Sequence, residues 1–239
     1  MAHVVAGYPG FDECIKLTRG MEKAGVGMIE VQIPFSDPIA DGETIMRAND
    51  VALNRGMTIE RSFDLIFKAG LKIDVYIMSY FQKILTFGLE KFCRKAAKAG
   101  VKGLIVPDLP FDAPHFSEFI KTMNQHNLSY VPVISEGMSD ERLGKSLANA
   151  ADLIYLTSTR GITGKKLKLT GKLTATAKKV KHIKPKTNLA IGFGISSRED
   201  LEEILKIADI AVIGSAVIRK IDLDDVEEAI KFVRSLANN

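Results

Sequence analysis

Short runs of apolar, β-branched residues alternate along the whole chain with stretches whose apolar residues recur at helical spacing. Strands that alternate with helices pair in parallel, because each helix carries the chain back to the edge where the next strand begins. Eight such runs fall at residues 3–6, 28–33, 74–79, 103–106, 129–134, 153–156, 188–191 and 210–213. Runs such as Leu104-Ile105-Val106 have no polar face, as strands covered on both sides require. Helical patterns at 11–24 and 89–99 stop before Gly25 and Gly100, and a closing helix is expected at 224–236. Ser139 is placed to cap one helix, and Ser196 through Glu199 read as a capping box for another. No linker or low-complexity tract divides the 239 residues. The fold expected is therefore one α/β domain over 1–239, a phosphate-binding (β/α)8 TIM barrel, with an open doubly wound sheet as the alternative.

Composition narrows the function. Hydrophobic residues make up 46% and charged residues 26%, which suits a packed core. No apolar run approaches the roughly 18 residues a membrane span needs. The first residues lack the basic flank of a secretory signal, so a cytoplasmic protein without membrane contact is expected. Cys14 and Cys93 lie in no CxxC or Cys/His cluster, which argues for buried thiols and no metal. A net charge of +4 is too mild to argue for nucleic acid. The stretch from Leu153 to Arg198 holds no acidic residue, and lysines crowd Lys165 to Lys186. That pattern is either a solvated helix face or a field that draws an anionic ligand.

In such barrels the chemistry sits just past the C-terminal ends of the strands. Glycine-bearing loops follow the last three: Gly161-Ile162-Thr163-Gly164, Gly192-Phe193-Gly194 and Gly214-Ser215. They either make tight turns or bring bare backbone N–H groups to an anion, and Ser215 would open a short helix at 216–219 whose N-terminus favours negative charge. Walker A and GxGxxG patterns are absent. Glu30 stands alone in an apolar strand. If Ile29 and Val31 face the helices, Glu30 points into the barrel, where burial favours proton uptake. Asp41 follows in a Pro- and Gly-rich loop that can fold back over the same cavity. The two make a plausible acid/base pair; a structural Glu30 and a helix-capping Asp41 are the competing readings. Asp37, before Pro38, also suits a plain turn.

At Pro34-Phe35-Ser36-Asp37-Pro38 and Ala40-Asp41-Gly42, downstream of Glu30, the chain resembles the α subunit of tryptophan synthase. Further similarities follow in order at Gly88 to Phe92, Val106-Pro107-Asp108-Leu109-Pro110, Tyr155-Leu156, Gly161 to Gly164, Gly192 to Ser196 and Gly214-Ser215-Ala216. The resemblance implies a lyase that cleaves indole-3-glycerol phosphate to indole and glyceraldehyde 3-phosphate without metal or organic cofactor. It implies Glu30 as the proton shuttle and Asp41 as the acceptor of the ring N–H. It implies Gly164, Gly194, Gly214 and Ser215 around the substrate phosphate, Thr163 in a closing lid, and Tyr155 and Phe193 beside the indole. The implied partner is a pyridoxal-phosphate β subunit in an α2β2-type complex, met at Pro34, Asp37, Pro38 and Asp108. The chain departs from the family where glycine is usual and Gln32 stands, where Asn-Pro is usual and Gln82-Lys83 stands, at Ser135 to Met138, and in starting almost within its first strand. A different phosphate-binding barrel enzyme and a non-catalytic activating subunit are the alternative functions.

Overall fold

The structure, a computed structural model, describes residues 1–157, 169–192, 194–223 and 225–237. Its strands run parallel in two hydrogen-bonded series. The first is β1 (Ala2–Val5), β2 (Met28–Gln32), β3 (Asp74–Met78), β4 (Gly103–Ile105) and β5 (Ser129–Val131), in that order. The second is β6 (Val133–Ser135), β7 (Leu153–Thr157), β8 (Asn188–Gly192) and β9 (Ile210–Val212). The expected single strand at 129–134 is thus split at Pro132. Proline has no N–H to give the ladder, so the strand changes neighbour there: β5 pairs with β4, and β6 with β7. The Pro132 carbonyl still accepts from Tyr155 N–H at 3.0 Å, which keeps both pieces in one wall.

The ring closes between its first and last members. His3 N–H donates to the Ile213 carbonyl at 2.8 Å, and Ile213 N–H donates to the Met1 carbonyl at 3.1 Å. Eight strand positions around a closed cylinder make this a (β/α)8 barrel, which excludes the open sheet.

Side chains alternate along each strand, and this produces two cores. Ile29, Val31, Ile77 and Leu104 point outward and pack with the helices around Leu17, Met21, Phe63, Phe92 and Phe119. Tyr76, Met78, Ile105, Val131, Leu153, Ala190 and Val212 fill the barrel. The helices obey local signals. Helix α1 (Phe11–Lys23) ends before Gly25, which adopts a φ of 95° that other residues resist. Four further helices are α2 (Glu43–Asn54), α3 (Ile59–Ala69), α4 (Phe81–Phe87) and α5 (Leu89–Lys98). Then come α6 (Phe116–Gln125), α7 (Asp140–Leu147), α8 (Gly171–Ile183), α9 (Arg198–Leu205), α10 (Ser215–Leu223) and α11 (Val226–Ala237). Ser139 caps α7 as expected, accepting from Arg142 N–H. The capping box of α9 sits one residue later than expected, on Ser197 and Asp200, because Asp200 reaches back to the Ser196 and Ser197 N–H groups. The closing helix runs from Val226 to Ala237, with Asp225 accepting from Glu228 N–H; residue 224, where it was expected to begin, lies outside the described residues. The short helix expected at 216–219 runs from Ser215 to Leu223.

The described lysines of α8 lie on its exposed face, where Lys179 pairs with Asp140 at 2.5 Å and Lys181 with Asp209 at 2.6 Å. That part of the basic stretch is a solvated helix face. Lys165 lies outside the described residues.

Candidate active site

At the C-terminal end of the strands lies a cavity of about 370 Å³. Its lining draws on almost every strand of the barrel and includes Glu30, Asp41, Tyr155, Gly194, Gly214 and Ser215. Six residues singled out in the sequence therefore meet in one place. Thr163, Gly164 and Phe193 lie outside the described residues.

Glu30 is 3% exposed and faces the barrel interior, since its neighbours Ile29 and Val31 pack outward. One oxygen lies 3.1 Å from Nδ1 of His3, and the other has no hydrogen-bond partner. A buried carboxylate with an open lone pair is costly unless something binds there.

Asp41 does not cap α2. Gly42 holds the cap position, and the Asp41 carboxylate turns inward instead. It accepts from Gln32 Nε2 at 2.5 Å and, more weakly, from Asn49 Nδ2 at 3.4 Å. The Tyr80 hydroxyl lies close by and also favours its ionised form. That hydroxyl already accepts from Ala40 N–H at 3.0 Å, so its own proton is free to point at Asp41. Burial lifts the Asp41 carboxyl above the usual range, and Gln32, His3 and Tyr80 offset this only in part. Asn49, fully buried, accepts from Phe35 N–H at 3.2 Å and so ties the loop after β2 to α2. Lys83 lies over the Phe35 ring at 5.6 Å, in the segment where the family's Asn-Pro is replaced.

Glycines at the ends of β8 and β9 leave their part of the cavity wall bare. A Cβ built on Gly192 would come within 2.4 Å of the Tyr155 hydroxyl, and one on Gly214 within 3.2 Å of the His3 ring. Gly214 thus makes room for an imidazole as well as exposing backbone, a second demand invisible in the sequence. The first turn of α10 begins at Ser215, which lines the cavity beside Gly214; a helix start carries free N–H groups and a positive dipole end. Tyr155 is pushed well above the usual phenol range by burial and by Glu30 and Asp41, so it stays protonated.

His3, Gln32, Asn49 and Tyr80 were missed in the sequence. Gln32 was findable, since it lies two residues past Glu30 and shares its face. The others needed the tertiary arrangement. Of the residues tied to a partner, Asp37 is exposed, Pro34 and Pro38 are buried, and Asp108 is half-buried. Both Asp108 oxygens accept from Phe81 N–H, at 2.8 and 3.0 Å, so this carboxylate already serves the start of α4. Among the described residues, no group of three or more His, Cys, Asp or Glu side chains could hold a metal, and no helix is long and apolar enough to cross a membrane.

The whole of residues 1–239 matches the family model described as tryptophan synthase alpha chain. The tryptophan synthase alpha chain of Syntrophotalea carbinolica is 35% identical over 240 residues, covering 99% of this chain and 93% of that one. A mutant tryptophan synthase alpha-subunit from Pyrococcus furiosus superposes with a TM-score of 0.89 at 28% identity, covering 98% of this chain and 96% of that one. A tryptophan synthase structure from Mycobacterium tuberculosis gives a TM-score of 0.90 at 26% identity, covering 99% and 90%.

Proposed function

Since this chain belongs to the tryptophan synthase alpha chain family, we propose that Glu30 and Asp41 are the working carboxylates of its lyase reaction. That reaction is the α step of tryptophan biosynthesis: retro-aldol cleavage of indole-3-glycerol phosphate to indole and glyceraldehyde 3-phosphate. The observation that carries the assignment is the shared cavity, which Glu30, Asp41, Gly194, Gly214 and Ser215 all line.

The roles follow from the environments. Glu30, buried and half-satisfied, exchanges a proton with ring carbon C3 and with the side-chain hydroxyl. Asp41, held on several sides, accepts the ring N–H and stabilises the cation that forms when C3 is protonated. Tyr155 bounds the slot for the indole; the roles proposed for Phe193 at the indole and Thr163 in a lid rest on the family resemblance alone. Gly164, Gly194, Gly214 and Ser215 receive the phosphate, the last at the start of α10. The chemistry is proton transfer and electrostatics, for which the α subunit needs no cofactor of its own.

The chain works as one domain over 1–239, in the cytoplasm, with a β subunit that carries pyridoxal phosphate and takes up the indole in an α2β2-type complex. Exposed Asp37 and half-buried Asp108 mark the docking face, whereas Pro34 and Pro38, expected there too, are buried and shape the loop from within. Ile39, 82% exposed on the same loop, supports this, because an apolar side chain left in water beside the site suits an interface.

Turnover of indole-3-glycerol phosphate, alone and with a β subunit, tests the function. Cleavage by the isolated chain is expected, with a higher rate in the complex. No cleavage alone, combined with activation of the β subunit, would instead favour a non-catalytic activator. The anion site has its own test. Ser215→Asp sets a carboxylate at the first turn of α10 and is expected to weaken binding of glycerol 3-phosphate about tenfold or more, read by calorimetry. Unchanged affinity would place the phosphate elsewhere.

A further inference from the structure

We propose that His3 is a positioning residue that shares one proton with Glu30, holding the proton that Glu30 delivers to the substrate ring. The inference rests on the reading of Glu30 as the shuttle and adds to it a partner that the family motif does not contain.

The geometry is built in by the sheet. His3 and Glu30 are register partners on β1 and β2, so their side chains leave the sheet side by side into the barrel. Nδ1 and Oε1 stand 3.1 Å apart, and the residues are 5% and 3% exposed. Each keeps one polar atom without a partner, Nε2 and Oε2, and both residues line the cavity. Gly214 leaves the imidazole its space. Three other titratable groups surround the pair. Asp41 approaches from the loop after β2, the Tyr155 phenol from β7, and the Met1 amino group from the start of β1. Burial disfavours an imidazolium, but Glu30 and Asp41 outweigh it and hold His3 above the ordinary imidazole value. Burial pushes the Met1 amino group down to about 6.

The pair answers a difficulty in the chemistry. A carboxylate that must first act as an acid needs a proton, and an isolated glutamate at neutral pH lacks one. Moving the proton from Nδ1 to Oε1 turns an ion pair into two neutral groups, an exchange that a low-dielectric site permits. Glu30 then gives the proton to C3. The C–H bond forms from the ring C2–C3 π pair, and the positive charge passes to the ring nitrogen beside Asp41. The Glu30 carboxylate next takes the proton of the side-chain hydroxyl. The O–H pair becomes the aldehyde C=O, the bond to the ring breaks, and its electrons restore the aromatic system. The proton returns to the pair, and none is gained or lost overall.

His3→Asn tests this. The asparagine amide places an N–H near the Nδ1 position and so preserves a purely structural hydrogen bond, but it cannot carry the extra proton. The expected result is a folded variant with kcat lowered about 10- to 100-fold near pH 8 and KM little changed. Its alkaline limb should move to lower pH, so that the residual rate rises on acidification. The Met1 amino group is present in both proteins and cannot cause the difference. An independent reading comes from nitrogen-15 NMR of the His3 ring, expected to titrate above the ordinary imidazole value in the wild type and lower in Glu30→Gln. Wild-type kcat and alkaline limb in His3→Asn, or an ordinary His3 titration in the wild type, overturns the proposal. If His3→Asn fails to fold, the NMR titration decides. Normal cleavage by Glu30→Gln would instead remove the underlying reading of Glu30. An inactive Glu30→Gln with an unaffected His3→Asn would remove only the pair.

Discussion

Replacing Glu30 by glutamine is expected to leave a folded barrel and to lower kcat/KM for indole-3-glycerol phosphate by about a thousandfold or more, within the range of acid/base contributions. The side chain is almost wholly buried on β2, so its volume matters to the interior, and glutamine preserves it. The new amide oxygen can still accept from His3 Nδ1–H, and His3 can shed its charge once the carboxylate is gone. What glutamine cannot do is take up and release a proton. Circular dichroism and a steady-state assay of indole release separate the two effects. A folded variant with near-normal turnover would show that the proton travels by another route.

Asp41→Asn should cost about a hundredfold in kcat, less than the Glu30 change, because it removes electrostatic stabilisation and leaves the proton carrier in place. The pH profile adds a sharper reading. Asp41 must be ionised to stabilise a cation, and burial holds its carboxyl above the usual range. Activity that depends on it is present above that raised value and lost as pH falls through it. The wild-type acid limb should therefore lie at higher pH than an exposed aspartate would give, and in Asp41→Asn that limb should vanish while the rate stays low. An unchanged acid limb in the variant would assign it to another group.

The parts of the molecule legible in the sequence are those governed by local rules. Alternating periodicity implied eight parallel strand positions, and the structure closes them through His3, Ile213 and Met1. The isolated charge at Glu30 identified an inward carboxylate because a strand has only two faces. Pro132 was visible too, yet its effect depends on which neighbour needs an N–H at that point, a tertiary matter. The capping box moved by one residue because Ser196 and Ser197 are chemically alike and only backbone geometry separates them.

The supports of the site were harder to read. His3 owes its place to the register of β1 against β2, Tyr80 to the end of β3, and Asn49 to the buried face of α2. None lies near Glu30 or Asp41 in a diagnostic pattern. Gly214 carried a double meaning, since the same bare position serves both the imidazole and the proposed anion. Gln32 replaces the family's usual glycine and donates to Asp41 at 2.5 Å, so this departure falls on the candidate site itself. It gives Asp41 a fixed orientation from the barrel wall.

One small molecule is expected to span from the two acids to the glycine-bearing strand ends. A crystal structure of Glu30→Gln soaked with indole-3-glycerol phosphate tests this most directly. The ring N–H is expected within hydrogen-bond distance of the Asp41 carboxylate, C3 beside residue 30, and the phosphate against the Gly194, Gly214 and Ser215 backbone. A phosphate bound at the acidic side, or a ring N–H turned away from Asp41, would contradict the assignment.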